Sequence, residues 1–453
     1  MKMLVEGRDL RIVSAMVFVL VVLSAAIPSQ VGFAYQAQIY TDPVSYPLPS
    51  LPEPVLLGGG LRVEVNAGPD ASGWTARLTS KYCSSSIDLS ESSYAEEAGW
   101  TLSFDVPGTL YPALYSLNIA YSDDGDTVNH TQPNSVWVLE EWPDKLMISH
   151  MTDTHLPYGV EVFADFAHEI NLVDPDLIIN TGDVVDVETI SSAWGYYQGI
   201  MNRLDVPCFV LPGNHDYAGA SSKLYQQYGG KLNYSLVIGD FLFIALNSHS
   251  GGYIYSHQLQ WAEKVLKAYP DKVKMMGFHH PLLSSEYEDD MGTVKGGDIT
   301  GSWENIEELE ELMYFTWTDN LEEARELLRL IEIYDVRLIM AGHVHRDMIY
   351  ILNNKHYFVT TSTTGGSLPP TSQYGSRLIE IDADGNIQLD EYAEKDLYNP
   401  PNSIPTGNIE YYYKAANDGS EAAVSAIVVN GLERQLTDAK LEFVVTTDNP
   451  LEE

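Results

Sequence analysis

Cysteine is nearly missing: Cys83 and Cys208 are the only two among 453 residues. They lie in distant segments, which excludes a disulfide framework and offers no thiolate cluster to a metal. Basic side chains are scarce too, 25 Lys and Arg against 64 Asp and Glu, for a formal net charge of -39. Such a field repels nucleic acid and anionic membrane surfaces, so neither is expected as a partner. It suits a soluble or extracellular setting but does not identify a substrate. The apolar run at residues 12–27, behind Lys2, Arg8 and Arg11, falls short of the ~20 residues that span a bilayer. It reads as a secretory signal with Gly32-Phe33-Ala34 as a cleavage pattern, and the expected location is secreted or at the cell surface. An uncleaved membrane anchor is the alternative. No internal repeat and no G-x-S-x-G elbow occurs in the chain.

What is present divides by pattern. After a signal at residues 1–34, residues 40–143 alternate short β-type runs with Gly, Pro, Asp and Ser turns, as a β-sandwich accessory domain does. From 146 to 392 apolar strand runs alternate with helical stretches, the signature of an α/β domain. Phe163, Phe166, Ala167 and Ile170, and then Trp194, Tyr197, Met201 and Leu204, fall at helical spacing and read as core. Gly239-Asp240 between two strand runs signals a hairpin. A Pro-rich linker at 393–407 and a small β-rich tail at 408–453 complete the chain.

Five apolar strands each run into a residue type that binds metals. Residues 146–148 lead to Asp153-Thr154-His155, and 177–179 to Gly182-Asp183-Val184-Val185-Asp186. Residues 209–211 lead to Gly213-Asn214-His215-Asp216, 273–278 to His279-His280-Pro281, and 337–340 to Gly342-His343-Val344-His345. The carboxyl ends of strands in an α/β sheet share one rim, so ligands distant in sequence converge there. Carboxylate, amide oxygen and imidazole together suit Mn, Fe, Zn or similar divalent ions. Gly182, Gly213 and Gly342 keep each strand-to-loop turn tight. On spacing alone either His279 or His280 could ligate.

These motifs, D-x-H, G-D-x-x-D, G-N-H-D, H-H-P and G-H-x-H in this order, resemble the calcineurin-like metallophosphoesterase superfamily across residues 146–392. The resemblance implies a four-layer α/β/β/α sandwich, here with an N-terminal β-sandwich domain and a small C-terminal β-rich segment. It implies two divalent metal ions: one on Asp153, His155 and His345, the other on Asn214, His279 and His343, with Asp183 bridging. His279 is favoured over His280 by the family's pattern. No Tyr adjoins Asp183, so the ferric, coloured centre of the purple acid phosphatase branch is not expected. Asp186 reads as a loop carboxylate that orients a neighbouring ligand.

The implied function is hydrolysis of a small phosphomonoester or phosphodiester by metal-bound hydroxide. His215 matches the family histidine that donates to the phosphoryl or leaving oxygen, with Asp216 placed to orient it. An extracellular binding protein with a non-catalytic metal site, or a nuclease, are the competing readings. A nuclease would need basic tracks and exposed aromatics that the acidic flanks do not provide. The long acidic segment 284–320 leaves a ligand-bearing strand end and is expected to border the pocket. Its Glu286, Glu288, Asp289 and Asp290 would repel polyanions, with Arg346 and Lys295 nearby to attract a small ester.

Overall fold

The computed structural model describes residues 2–3, 37–217, 221–284, 296–367 and 374–389, with the strand backbone at 404–405, 409–415, 422–428 and 443–444. The apolar run at 12–27 and most of the tail lie outside the described residues.

Residues 44–139 form eight strands hydrogen-bonded in one continuous path. The long strand Ser84–Ala95 pairs through its first part with Ser72–Thr79 and through the rest with Gly99–Asp105. That shared strand lets the path fold over itself. Leu61, Val63, Val65, Leu102 and Phe104 thereby pack against Leu78, Tyr115, Leu117, Ile119 and Val136 in one core. Alternation along Gly60–Val65, with Leu61, Val63 and Val65 fully buried, is the period of a half-buried strand.

From Lys145 the chain builds two further sheets. In the first, Cys208–Val210, Leu177–Asn180 and Lys145–Met151 run parallel, and Gly375–Asp382 and Ile387–Leu389 add antiparallel strands. The second has seven strands among the described residues, with Phe241–Ala245, Val273–Gly277, Val336–Ala341 and His356–Thr360 parallel at its centre. Tyr234–Ile238 turns into Phe241–Ala245 as an antiparallel hairpin at Gly239.

Both sheets carry apolar residues on both faces, because side chains of a strand alternate. Phe241, Phe243 and Ala245 face the inter-sheet core with Leu146, Ile148, Leu177 and Ile179. Leu242, Ile244 and Leu246 face outward onto helices Ser256–Ala268 and Leu321–Ile333. Behind the first sheet, Ile178 and Val210 pack on helices Val160–Val173 and Ser191–Met201. The helix residues doing so include Phe163, Phe166, Ile170, Trp194 and Tyr197, each worth roughly 1.5–3 kcal/mol of burial. The result is helix, sheet, sheet, helix: the four-layer sandwich.

The N-terminal strands are joined to this body without a gap. Leu48, Leu51, Leu114 and Trp137 enter the inter-sheet core, and the Ser50 carbonyl accepts from the Val210 N–H at 3.0 Å.

Candidate functional site

The parallel strands of both sheets end on one rim, and the five motif loops meet there. Their backbone is strained where they meet: Asp153, His155, Asp183, His343 and His345 all have φ between 45° and 73°. This left-handed region costs an L-residue on the order of 1–2 kcal/mol, least for Asp, Asn and His. Cross-loop hydrogen bonds hold it. The Asp153 N–H donates to the Gly182 carbonyl at 2.9 Å, the His155 N–H to that of Asp183 at 3.0 Å, and the His343 N–H to Asp153 Oδ2 at 2.9 Å. Gly213 and Gly342 permit the close approach: a Cβ on Gly213 would lie 2.1 Å from Asp183 Oδ1, and one on Gly342 2.0 Å from Thr152 Oγ1.

Six of the sequence-selected residues come together in this way. Asp153 Oδ1 lies 3.2 Å from His345 Nε2, 3.5 Å from His155 Nε2 and 3.9 Å from His279 Nε2. Asp183 Oδ2 lies 3.1 Å from His279 Nε2 and 3.7 Å from His155 Nε2, so its carboxylate stands between the two halves of the cluster. The sets Asp153, His155, His345 and Asp183, His279, His343 each have the geometry to hold an ion. Asn214 contributes a buried Oδ1.

Three imidazoles are fixed in one tautomer. His155 Nδ1–H donates to Asp186 Oδ1 at 3.1 Å, His279 Nδ1–H to the Thr181 carbonyl at 2.9 Å and His345 Nδ1–H to the Ser367 carbonyl at 2.6 Å. Each ring therefore turns its Nε2 lone pair inward. His279 Nε2 and Asp153 Oδ1 are buried there with no hydrogen-bond partner, and Asn214 Oδ1, on the third motif loop, is also buried without one. Orphaned buried acceptors of this kind fit divalent cations, and the N and O donor set suits borderline metals.

Electrostatics agree. Burial alone would raise Asp153, yet the imidazoles of His155, His345 and His279 hold its carboxyl well below the ordinary value. Burial opposes a charge on His155 and His279, but the Asp153 and Asp183 carboxylates push both up to about 9. Without a metal, then, protons occupy the places a cation would take.

His280 is elsewhere engaged. Its Nδ1 meets Ser248 Oγ at 2.8 Å, and burial and the neighbouring His343 and His279 hold it well below the ordinary value. His279, not His280, faces Asp183.

His215 stands at the edge of a cavity of about 490 Å³ shared with His155, His345, Tyr158 and Tyr374. Its Nδ1–H donates to the Asp186 carbonyl at 2.8 Å, leaving Nε2 free. Its side chain is 41% exposed, and it is also close enough to His155 and Asp183 to form a ligand group with them. A second cavity, of about 430 Å³, lies at the opposite, amino ends of Val273–Gly277 and Val336–Ala341, and none of the motif residues lines it.

Asp216 does not orient His215, contrary to expectation. Its carboxylate turns inward and accepts from Gly213 N–H at 2.8 Å, Val185 N–H at 3.1 Å and Val184 N–H at 3.3 Å. It ties the second motif loop to the third, because a buried turn must find acceptors for its N–H groups. Burial, aided by Asp183, pushes its carboxyl up to about 7. Orientation of His155 and His215 falls to Asp186, through its side chain and its main chain respectively.

Sequence reasoning missed two further contributors. The loop 361–367 supplies the Ser367 carbonyl to His345, and Thr363 Oγ1 donates to the Asp153 carbonyl at 2.5 Å. Asp347, paired with the wholly buried Arg377 at 2.8 Å, accepts from Thr361 Oγ1 and anchors this loop. The other is Tyr314, whose hydroxyl lies 2.7 Å from His343 Nε2. It belongs to the segment expected to border the pocket. Residues 285–295 of that segment, with its Lys295 and acidic run, lie outside the described residues.

Residues 146–347 match the calcineurin-like phosphoesterase family. They are a calcineurin-like phosphoesterase domain. A 3′,5′-cyclic-nucleotide phosphodiesterase of Nostoc sp. is 28% identical over 224 residues, covering 46% of this chain and 73% of that one. A probable glycerophosphodiester phosphodiesterase of Arcobacter nitrofigilis is 32% identical over 147 residues, 29% of this chain and 54% of the relative. The 3′,5′-cyclic adenosine monophosphate phosphodiesterase of Escherichia coli is 23% identical over 290 residues, 58% and 95% of the two chains. The chain is a metal-dependent phosphoester hydrolase. All five motif loops fall within the matched residues.

Proposed function

We propose that this chain hydrolyses a small phosphodiester of cyclic-nucleotide size at a site for two divalent cations. The observation that carries the reading is the set of three imidazoles locked as Nδ1–H donors, with their Nε2 atoms converging on Asp153 and Asp183. Asp153, His155 and His345 would hold one cation, Asn214, His279 and His343 the other, with Asp183 shared. When bound, such a pair would lower the pKa of a water and offset charge on the phosphate oxygens. His215, with Nε2 free at the cavity, is placed to give a proton to the leaving oxygen.

Phosphodiesters are favoured over monoesters by the names of the relatives. A cavity of about 490 Å³ and a net charge of -39 favour a small ester over a polyanion. Export is part of the proposal and rests on the signal-like residues 12–27. Sequencing the amino end of the mature chain tests it.

The test of the activity pairs elemental analysis with turnover of 3′,5′-cyclic AMP, bis(p-nitrophenyl) phosphate and p-nitrophenyl phosphate in Mn, Zn and Fe. Two ions per chain and diester turnover abolished by a chelator are expected. One ion or fewer, or no ester hydrolysed at metal saturation, overturns the reading.

A further inference from the structure

His343 differs from the other three clustered imidazoles in what holds it. His155, His279 and His345 give their outer nitrogen to a carboxylate or a main-chain carbonyl, whereas His343 Nε2 meets the hydroxyl of Tyr314 at 2.7 Å. The phenol ring stands edge-on to the imidazole at 5.2 Å and 83°. His343 thus has Nδ1, not Nε2, left to offer a cation.

Tyr314 is itself fixed to the His279 loop. Its N–H donates to the Leu282 carbonyl at 3.1 Å, and the Ser284 N–H donates to the Leu312 carbonyl at 2.8 Å. Leu283 and Met313 form an antiparallel bridge between these pairs. Three residues further on, Trp317 Nε1–H donates to the His280 carbonyl at 3.3 Å. The segment that leaves His279 therefore returns, lies along its own beginning, and presents one hydroxyl to His343.

We infer that Tyr314 is a positioning residue for the cation held by His279 and His343, accepting from His343 Nε2–H and tying that ring to the His279 loop. The inference rests on the two-cation reading. It makes the backbone bridge at 282–284 and 312–314 and the Tyr314 hydroxyl a single brace across two ligands that lie 64 positions apart. Outer hydrogen bonds of this kind typically change metal affinity 10- to 100-fold when removed.

Tyr314→Phe removes the hydroxyl and keeps the ring on Phe315 and His343. Metal-depleted full-length protein, wild type and variant, is titrated with Zn by calorimetry. Wild type is expected to bind two ions, and the variant to bind one unchanged and the other about 10- to 100-fold more weakly. In a His279→Ala background, which disables that same site, Tyr314→Phe should leave the remaining affinity unaltered. Wild type binding one ion or fewer overturns the two-cation reading and this inference together. Wild type binding two, with both affinities unchanged in Tyr314→Phe, overturns this inference alone. Should the variant not fold, ¹⁵N-histidine NMR of the zinc-loaded wild type decides: a proton on His343 Nε2 with zinc on Nδ1 supports the brace, and zinc on Nε2 overturns it.

Discussion

The Nε2 atoms of His155 and His345 face each other at 3.1 Å. Because Asp186 and the Ser367 carbonyl each claim the opposite nitrogen as a donor, two neutral rings would aim lone pair at lone pair. Only positive charge between them relieves this, and Asp153 Oδ1 lies within 3.5 Å of both. Proton and cation are thus competitors for one place.

Metal binding is therefore predicted to release protons. With His155 and His279 pushed up to about 9 from an ordinary 6.5, the metal-free fold gains stability from these protons fully below 6.5. That contribution fades as pH rises from there through about 9. A cation must displace the protons, so its affinity should rise with pH across the same window. Calorimetry at about pH 7.5 in buffers of different ionisation heat should show about one to two protons released per chain at saturation. Zero release would contradict the assignment.

Asp186→Asn keeps an oxygen for His155 Nδ1–H but removes the charge. The cation at Asp153, His155 and His345 should bind about 10- to 100-fold more weakly. His215 is held by the main-chain carbonyl at 186, so turnover at saturating metal should fall much less. The metal concentration giving half-maximal rate reads this directly.

His215→Ala should retain both ions and lose about 10²- to 10⁴-fold in kcat, the scale of a lost general acid. Its proximity to His155 and Asp183 gives a different outcome if it is a ligand: one ion would be lost in elemental analysis.

Asp216→Ala should act on the fold before the chemistry. It strands three buried N–H groups, those of Gly213, Val184 and Val185, at roughly 1–3 kcal/mol for each that finds no other acceptor. A drop of at least ~2 kcal/mol in unfolding free energy by urea denaturation is expected. An unchanged midpoint would mean that water replaces the carboxylate.

The motif loops were legible because each ends an apolar strand, and parallel strands of one layered sandwich must release their loops on one rim. Helices such as Val160–Val173 were legible from the spacing of Phe163, Phe166 and Ile170. The direction of the Asp216 side chain was not. Its neighbour His215 suggested a local partner, but besides Gly213 the N–H groups that capture it, those of Val184 and Val185, belong to a loop some 30 residues earlier, and only the folded turn brings them near. Tyr314 gave no signal either, since a lone Tyr in an acidic stretch has no spacing relation to His343. The Thr363 and Ser367 loop was visible only as small polar residues after a strand, a pattern that ordinary turns share.

The contact between Ser50 and Val210 bears on where this molecule can be cut. Among the described residues Cys208–Val210 is the outermost strand of its sheet, and an outer strand left bare is a template for another chain. Here Ser50, in the N-terminal stretch, supplies a partner for Val210, while Leu48 and Leu51 fill the space between the sheets. The stretch that carries the family likeness is thus not a portable module. Expressed from residue 146 onward, it would display an open edge beside a breached core, and its natural neighbour would be a second copy of itself.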